Sequence, residues 1–400
     1  MLDFDVAQSR LAAAGKRPVS TETLALHDAA GRVLAEPITA TLDLPPADNS
    51  AMDGYAICHQ DYRAGHAFPI QQRCFAGQQP EALQRGNAIR LFTGSLMPAG
   101  ADTVIMQEDC SETDNLLTVN QPPAAGAHVR EQGEDIKKGQ PLFDVGTVIG
   151  AAEIAILASQ GLASVKVYPK LKIGILTTGD ELVAPGQPLN SAQIYNSNGP
   201  MLAAMAAQLG ASVVHVLHAA DTYEALQRAF ATLLADCDLV LTVGGVSVGE
   251  KDLVKPAIEQ LGGTLDLWKV NMKPGKPVAL AHAQSRPIVC LPGNPVSAYA
   301  VFALLVSPLI RTMQGRANVL PPTQYGTLNS QTSFNGTREE FLRVQASHTE
   351  QCTALTPHSL QGSGIISSLS WATGFARIPP NTTIGHGDVV RYYDCRHWLV

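Results

Sequence analysis

The pattern of apolar and polar positions changes along the chain and divides it into regions with different predicted folds. Between residues 171 and 315, short apolar runs such as Lys172–Thr177 and Leu239–Val243 alternate with helix-like segments such as Gly199–Leu209. Runs that are apolar at nearly every position are typical of strands buried on both faces of a sheet. The alternation therefore predicts a doubly wound, parallel α/β domain, with ligands bound at the carboxyl ends of its strands.

The regions on either side of this domain have the pattern of short strands. Residues 56–140 contain brief β-like runs separated by Gly and Pro, and residues after 333 show the same texture. The helix-like segment Ala151–Ser159, followed by Gly161, is expected to pack against residues 1–44. A β-rich domain would then be inserted into a discontinuous one.

Proline-rich stretches supply the boundaries between these regions. Leu44-Pro45-Pro46 suits neither a helix nor a central strand, and residues 316–333 are rich in Pro, Asn, Thr and Gln. We therefore predict a discontinuous domain I (1–44 and 141–170), an inserted β-rich domain II (45–140), an α/β domain III (171–315) and a small C-terminal β-barrel, domain IV (316–400).

Composition limits the kinds of partner that the 400-residue chain can have. Hydrophobic residues make up 45% and charged residues 16%, as in a globular protein rather than a disordered one. The net charge of −7 argues against a general basic surface for nucleic acid or membrane. Any anion site must therefore be a local cationic pocket.

The cysteines and the first residues indicate a cytoplasmic protein. Seven scattered cysteines without a C-x-x-C pair fit neither a disulfide framework nor a structural zinc site. The opening MLDFDVAQSR carries acids where a signal peptide needs basic residues, and we find no apolar run of the roughly 18 residues that a membrane span needs.

The strongest candidate for chemistry is LVLTVGGVSVGEKD (239–252). A buried strand ends at Gly244 and Gly245, and the loop continues through Ser247 and Gly249 to Asp252. Glycines after a buried strand let backbone N–H groups approach an anion, and a carboxylate is tolerable beside a phosphate when a divalent cation lies between them. We interpret the stretch as a phosphate-plus-metal site. The alternative is a tight turn with solvated charges.

Two further segments offer anion-binding groups. Lys269, Lys273 and Lys276 surround VNMKPGKP, where prolines would hold two ammonium groups on a stiff turn suited to an oxyanion, although an exposed turn also often carries lysines. In LPGNPVSA, Gly293 and Asn294 expose N–H groups at a helix start. Asn294 could equally be a simple N-cap before a proline at the first helical position.

Carboxylates complete the candidate site. TTGDE offers Asp180 and Glu181 at the same sheet edge. Asp221 lies three residues before Glu224, a spacing explained most simply by a helix N-cap. We find neither a nucleophile–histidine arrangement nor a G-x-x-x-x-G-K-[ST] loop. Glycine loops, lysines and carboxylates around a metal suit a phosphorylated or nucleotidylated ligand better than covalent catalysis.

Several of these stretches resemble one known family. NSAMDGYA, RLFTG, GEDI, TTGDE, NSNGPML, GGVSVGEKD, KPGKP and LPGNPVSA occur in the order found in the MoeA-type molybdopterin molybdenumtransferases, which are similar to the E domain of plant Cnx1 and of gephyrin. The resemblance covers nearly the whole chain and is weaker in the last 80 residues. It implies an elongated, four-domain homodimer with a MogA-like α/β domain.

The resemblance also implies a reaction. Molybdenum from molybdate would be inserted into adenylylated molybdopterin with Mg²⁺ and AMP would be released, with a MogA-like adenylyltransferase and molybdoenzyme apoproteins as partners. The competing hypotheses are a molybdopterin adenylyltransferase and a non-enzymatic scaffold like gephyrin's E domain. The added domains argue against the first, and the retained acidic and lysine positions argue against the second.

Functional positions carry over residue by residue. The resemblance implies catalytic roles for Asp53, Asp135, Glu181, Asp221 and Asp252. It also implies that Glu181, Asp221 and Asp252 bind the metal, so Asp221 would have a role in the site and would not be only a helix cap. Asp53, Thr93, Arg130 and Asp135 match residues that reach the site from the partner subunit. The substrate-binding set is Thr93, Arg130, Gly244, Gly245, Ser247, Gly249, Lys269, Lys273, Lys276, Pro292, Gly293, Asn294, Pro295, Arg343 and Ser363, where Ser247, Lys273 and Lys276 match the molybdate-binding positions.

Overall fold

A computed structural model describes residues 1–245, 252–348, 350 and 352–400 of the chain, with the side chains of residues 266–268 also left undescribed. Contacts between residues divide it into two compact units. The first contains Met1–Ala35, Val145–Gly150 and Ser164–Val400, and the second contains Glu36–Asp144 and Ala151–Ala163. The finer division into four domains stays a prediction.

The second unit is built around a mixed six-stranded sheet. A hydrogen bond links the two chain segments of this unit: the backbone N–H of Thr41 donates to Gln160 Oε1 at 2.8 Å. Two-residue and three-residue strands and one helix complete it. In sheet order the six strands are Thr103–Met106, Gly54–Ile57, Ala88–Leu91, Ala67–Cys74, Leu116–Val119 and Cys110–Thr113; Asn49–Ser50 pairs with Val129–Arg130, Ile38–Thr39 pairs with Pro141–Phe143, and the helix is Ala151–Ser159.

The first unit contains the predicted α/β sheet. Four of its strands, Lys172–Thr178, Leu239–Val243, Pro277–Ala283 and Arg286–Leu291, are buried along most of their length, which explains why their sequence is apolar throughout rather than alternating. In chain order the strands of the sheet are β1 (Lys172–Thr178), β2 (Ser212–Ala219), β3 (Leu239–Val243), β4 (Thr264–Lys269), β5 (Pro277–Ala283) and β6 (Arg286–Leu291). In space the order is β2-β1-β3-β6-β5-β4.

The expectation that every strand runs parallel is wrong at one position. The first four strands of the spatial order are parallel, but β5 is antiparallel to both β6 and β4. A two-residue turn at Gln284 and Ser285, with φ of 49° and 64°, connects β5 to β6 as a hairpin. Neither residue is a glycine, so the residue pattern did not indicate the turn, and β4 was not predicted.

Helices cover the α/β sheet and cap its edges. The first of them, Phe4–Ala14, begins at Asp3, whose Oδ1 accepts the backbone N–H groups of Asp5 and Val6. A small antiparallel pair, Glu22–Ala25 with Ser164–Val167, lies in the same unit. The other helices of the α/β segment are Asn198–Gln208, Tyr223–Asp236, Val254–Gln260, Pro295–Val301 and Ser307–Met313, the last two joined by a π-helical turn at Phe302–Val306.

In the described part of the chain, one helical segment is long and apolar enough to cross a membrane, contrary to the expectation from the sequence. Pro295–Met313 has 19 residues, but 89% of its most apolar window is buried within the protein. Its apolar residues pack in the core with Ile173 and Leu241 of the sheet. It is therefore the central core helix of the unit, as its apolar composition predicted.

The last part of the chain forms a closed five-stranded barrel, as predicted. One of its strands lies inside residues 316–333, which were expected to be only a boundary. The strands are β7 (Gln324–Leu328), β8 (Glu339–His348), β9 (Thr353–Pro357), β10 (Gly374–Ile378) and β11 (Val389–Asp394), with short helices at Ser367–Trp371 and Cys395–Trp398. The ring β8-β9-β7-β11-β10 closes because β10 pairs again with β8.

Candidate functional site

Three loops that leave parallel strands line a single cavity of about 860 Å³. The lining residues are Thr178, the last residue of β1, with Glu181 beyond it, then Gly244 and Gly245 after β3, and a third group after β6. The carboxyl ends of parallel strands meet at one edge of a sheet, so this convergence is the predicted one. The β6 loop contributes Pro292, Gly293, Asn294 and Pro295 to the cavity wall.

The glycines of these loops are required by their backbone geometry. Gly244 and Gly245 have φ of 92° and 66°, and a Cβ on Gly245 would lie 2.5 Å from Val254 Cγ2. A Cβ on Gly293 would lie 4.0 Å from Gly244 Cα, so the loops after β3 and β6 lie side by side. A larger residue at Gly244 or Gly245 would therefore distort the floor of the cavity. The predicted Ser247 and Gly249 lie outside the described residues.

The lysine turn also reaches the cavity. Lys273 and Lys276 both line it, whereas Lys269, paired with Pro277 at the end of β4, is not among its lining residues. Lys273 Nζ lies 2.8 Å from Glu340 Oε1, in the first part of barrel strand β8. Part of its charge is therefore balanced by the barrel. Both lysines are largely exposed, as a site for a soluble anion requires.

Asn294 occupies the N-cap position of the helix that begins at Pro295, but its side chain does not cap it. Its Nδ2 instead donates to Ser363 Oγ at 3.1 Å, and the backbone N–H of Val296 donates to Ser363 O at 3.2 Å. A barrel loop thus covers the helix N-terminus. Ser363, predicted only from a loose resemblance, lines the cavity.

Arg343 supports that loop from inside the barrel rather than facing the cavity. Its side chain is fully buried, and it donates through Nε to Ser368 Oγ and through Nη2 to Leu360 O and Gly362 O, at 2.7, 2.9 and 3.1 Å. Burial lowers the pKa of the Arg343 guanidinium. In this structure Arg343 holds the loop that carries Ser363, and it is not among the cavity-lining residues.

Two of the predicted metal-binding carboxylates line the cavity and one does not. Glu181 and Asp252 are lining residues, and the Glu181 carboxylate folds back over Gly179. Asp221 lies at the next loop, where its backbone N–H donates to Asp180 Oδ1 at 3.1 Å. The N-cap of the following helix is Thr222 rather than Asp221, since the Thr222 hydroxyl accepts the N–H of Ala225.

This arrangement fits Mg²⁺ only in its substrate-bridged form. Within the described residues, no group of three His, Cys, Asp or Glu side chains is close enough to hold a metal ion. Mg²⁺ is commonly bound by one or two protein carboxylates together with substrate phosphates and water. Glu181 and Asp252 provide that number of carboxylates.

The remaining predicted residues lie in the second unit. Asp53 Oδ1 accepts the backbone N–H and the hydroxyl of Thr93, at 2.8 and 2.9 Å. The backbone N–H bond is the main reason that the pKa of the Asp53 carboxyl is below its ordinary value. Arg130 is exposed and pairs with Asn49 in the short antiparallel strand pair. The backbone N–H of Asp135 donates to Leu44 O.

Sequence reasoning missed several residues of the cavity wall. Arg338 and Gln361 come from the barrel, and no motif marks them. Asn198 belongs to NSNGPML, one of the stretches that resemble the family, but the sequence assigns it no role. Its side chain is buried and donates through Nδ2 to Gly293 O at 2.7 Å, so that it fixes the β6 loop.

Comparison with protein families agrees with this architecture along the whole chain. Residues 2–161 match the MoeA N-terminal region (domain I and II), and residues 174–312 match a probable molybdopterin binding domain. Residues 325–395 match the MoeA C-terminal region (domain IV). The cavity described above is therefore lined by residues of the last two matched regions.

Individual relatives agree. A molybdopterin molybdenumtransferase of Haemophilus influenzae is 38% identical over 82% of this chain and 81% of its own length. Molybdopterin molybdenumtransferase 2 of Mycobacterium tuberculosis is 32% identical over 94% of this chain and 95% of its own. The crystal structure of a molybdopterin biosynthesis MoeA protein from Pyrococcus horikoshii superimposes with a TM-score of 0.84 at 27% identity, covering 98% and 100% of the two chains. The chain thus belongs to the MoeA family of molybdopterin molybdenumtransferases, enzymes of molybdenum cofactor biosynthesis.

Proposed function

We propose that this chain inserts molybdenum from molybdate into adenylylated molybdopterin, with Mg²⁺, and releases AMP. The observation that carries the proposal is the cavity at the carboxyl edge of the sheet. It brings glycine loops, two lysines and two carboxylates together in one place. A nucleotidylated substrate and an oxyanion need these three kinds of group.

The glycine loops form the phosphate side of the site. The loops at Gly244 and Gly293 lie side by side, and the latter precedes the helix that begins at Pro295. The backbone N–H of Val296 already donates to Ser363 O, so the phosphate would be attracted by the N–H groups of the glycine loops ahead of the helix, near the positive end of its dipole. The phosphates of the adenylylated substrate would bind here.

The lysine turn forms the molybdate side. Molybdate is a divalent tetrahedral oxyanion, which requires compact donors and positive charge rather than a soft thiolate. Lys273 and Lys276 supply charge, and Ser363 supplies a hydroxyl close to Asn294. Because Lys273 also contacts Glu340, we propose that Lys276 carries the larger share of the attraction.

Glu181 and Asp252 would hold Mg²⁺ against the substrate phosphates, with Asp221 completing the outer contacts. Mg²⁺ held there would supply positive charge against the phosphoryl oxygens of the substrate. Without it the two carboxylates would repel the phosphates that the glycine loops attract. The acidic residues therefore orient the metal and the substrate together.

We further propose that the enzyme is a homodimer whose sites are shared between subunits. Asp53, Thr93, Arg130 and Asp135 belong to the second unit of the chain, and the resemblance places their counterparts at the partner's site. Mixing inactive Asp53→Ala chains with inactive Asp252→Ala chains should then restore part of the activity. If mixed dimers form and remain inactive, the shared site is refuted.

The proposed location is the cytoplasm. The buried cysteines Cys74, Cys237 and Cys290 are free thiols, as is usual in a reducing compartment. The proposed partners are a MogA-like adenylyltransferase, which supplies the adenylylated substrate, and apoproteins of molybdoenzymes.

The decisive experiment uses the full-length protein with purified adenylylated molybdopterin and Mg²⁺. AMP release that depends on added molybdate, accompanied by molybdenum in the pterin fraction on mass spectrometry, supports the insertase. The same protein with molybdopterin and Mg-ATP provides the comparison, because adenylate formation there would identify an adenylyltransferase. No reaction in either assay would favour the scaffold.

A further inference from the structure

A second cavity, of about 890 Å³, lies at the opposite edge of the α/β sheet. Lys172 and Arg286, the first residues of β1 and β6, contribute to its wall. Thr178, the last residue of β1, lines the candidate active site. A strand rises about 3.3 Å per residue, so these two ends of β1 are about 20 Å apart. The second cavity is therefore separate from the site of the proposed reaction.

Positive charge in this cavity is not balanced by the carboxylates beside it. Asp238 is already engaged, since its Oδ1 accepts Arg286 Nη1 at 2.7 Å and its Oδ2 accepts the backbone N–H of Lys172 at 3.0 Å. Asp236 lies 2.8 Å from His215 Nε2.

The other cations of the wall have no side-chain partner in the part of the chain that the structure describes. They are Lys16, Arg17, Lys170 and Lys172. The first two lie in the segment after helix Phe4–Ala14, and the last two lie just before and at the start of β1. Four exposed cations from two distant segments thus face one cavity in a chain whose net charge is −7. Such an arrangement raises the local concentration of anions.

The same cavity has an apolar and stiff part. Val19 is completely exposed, with a relative accessible surface of 101%, although it lines a concave site. Pro18, Pro169 and Pro287 line the same cavity. Because proline fixes its backbone φ, these positions need little ordering when a ligand binds. The exposed valine and the three prolines offer apolar surface against which a ring can pack.

We propose that this cavity binds a phosphorylated small molecule with an apolar ring, of the nucleotide class. The phosphates would lie among Lys16, Arg17, Lys170 and Lys172, and the ring against Val19 and the prolines. The cavity volume is within the range of about 300–1,000 Å³ usual for small-molecule sites and exceeds the need of a lone oxyanion. This site goes beyond the proposed reaction and contains none of its residues.

ADP and inorganic pyrophosphate are suitable probes, measured by calorimetry on the full-length protein at low salt. The double variant Arg17→Gln/Lys172→Gln should bind ADP at least about tenfold more weakly at this site, as expected for the loss of two charged contacts. The matched control is Arg10→Gln/Lys138→Gln, which removes two exposed cations elsewhere and should leave ADP binding unchanged. Any ADP bound at the candidate active site is common to all three proteins, so the difference isolates the second cavity.

Val19→Ser tests the ring half of the proposal. Because Val19 is completely exposed, this change should not affect folding, and melting temperatures of all variants serve as a check. Val19→Ser should weaken ADP binding several-fold and leave pyrophosphate binding unchanged. Equal ADP affinity in the charge variant and its control would overturn the site. Equal affinity for ADP and pyrophosphate in the native protein would overturn the nucleotide class.

Discussion

The α/β domain and the C-terminal barrel contribute to the candidate active site in different ways. The α/β domain contributes mainly backbone, at glycines that end parallel strands, together with the lysine turn. The barrel contributes Arg338, just before β8, and a loop at residues 361–364 that Arg343 holds in place from inside the barrel. The first kind of contribution is encoded in short contiguous motifs, whereas the second depends on residues far apart in the sequence.

The two contributions differ in how sensitive they are to substitution. Glycine loops at strand ends are fixed by the sheet beneath them, so many neighbouring substitutions should be tolerated. The barrel loop relies on one buried guanidinium, and its loss would leave carbonyl groups at Leu360 and Gly362 without their donor. Four predictions test this contrast, in decreasing order of effect.

Arg343→Met should be the most disruptive of these changes. It removes three donors from buried acceptors, and we expect a loss of about 3 kcal/mol in the free energy of unfolding together with the loss of molybdate-dependent AMP release. Urea denaturation measures the first effect. The control is Arg10→Met on the exposed face of the first helix, which should cost less than about 0.5 kcal/mol. Similar losses in the two variants would remove the distinction between barrel and surface.

Asp252→Asn should abolish function without affecting folding. The carboxylate lines the cavity beside the glycine loop, and we expect AMP release to fall by about 100-fold or more at any Mg²⁺ concentration, while the melting temperature stays within a few degrees. The control is Asp114→Asn, at an exposed turn with φ of 52° where asparagine is well accommodated. A parallel loss of stability and activity in Asp252→Asn would identify it as a structural residue instead.

Replacing Lys273 and Lys276 separately tests how the barrel affects the lysine turn of the α/β domain. Lys276→Ala and Lys273→Ala should each weaken the molybdate dependence of turnover by about 10- to 100-fold, the range for a charged hydrogen bond. The effect should be larger for Lys276, because Lys273 is partly neutralised by Glu340 of the barrel. Adenylate binding should change less, since backbone N–H groups hold the phosphate. Unchanged molybdate dependence in both variants would move the oxyanion site elsewhere in the cavity, toward Ser363 of the barrel.

The smallest effect concerns the end of the barrel. Burial alone would raise the pKa of the Asp394 carboxyl, but hydrogen bonds from the side chain and backbone N–H of Arg396 lower it below its ordinary value. A lowered folded-state pKa stabilises the protein above the unfolded pKa of about 3.9, and this stabilisation is lost as the pH falls through the folded-state value.

Asp394→Asn keeps an oxygen that can cap the helix but removes the charge that Arg396 contacts, so it should reduce stability by up to about 1 kcal/mol at neutral pH and by less under acid conditions. Denaturation curves at several pH values test the sign. A deficit that stays constant with pH would show that the charge of Asp394 has no part in it.

The parts of this architecture that could be predicted are those that depend on residues close together in the sequence. Apolar runs followed by glycine gave β1, β3 and β6 and the loops after them, because the buried strand and the tight turn have separate, short-range signals. The hairpin of β5 was missed because its turn uses Gln284 and Ser285 at positive φ without glycine. Nothing in the pattern shows that an arginine such as Arg343 is internal, since its burial depends on partners supplied by a distant loop.

Asp221 illustrates the same limit on a smaller scale. Its position before a helix suggested a cap, but Thr222 is the residue that caps, and Asp221 instead accompanies Asp180 at the neighbouring loop. The two candidates for the cap differ by a single residue in sequence. Which of the two residues caps the helix depends on the backbone conformation at the helix start, where the Thr222 hydroxyl accepts the N–H of Ala225.

The core helix Pro295–Met313 has a consequence for attempts to divide the molecule. It shares one apolar cluster with Phe4 near the start of the chain and with Phe341 and Phe375 of the barrel, all of which are almost fully buried. A fragment limited to residues 171–315 would expose that cluster to water and should aggregate. Elements that share a core unfold together, so the α/β segment and the barrel should melt as one cooperative transition although their sheets are distinct.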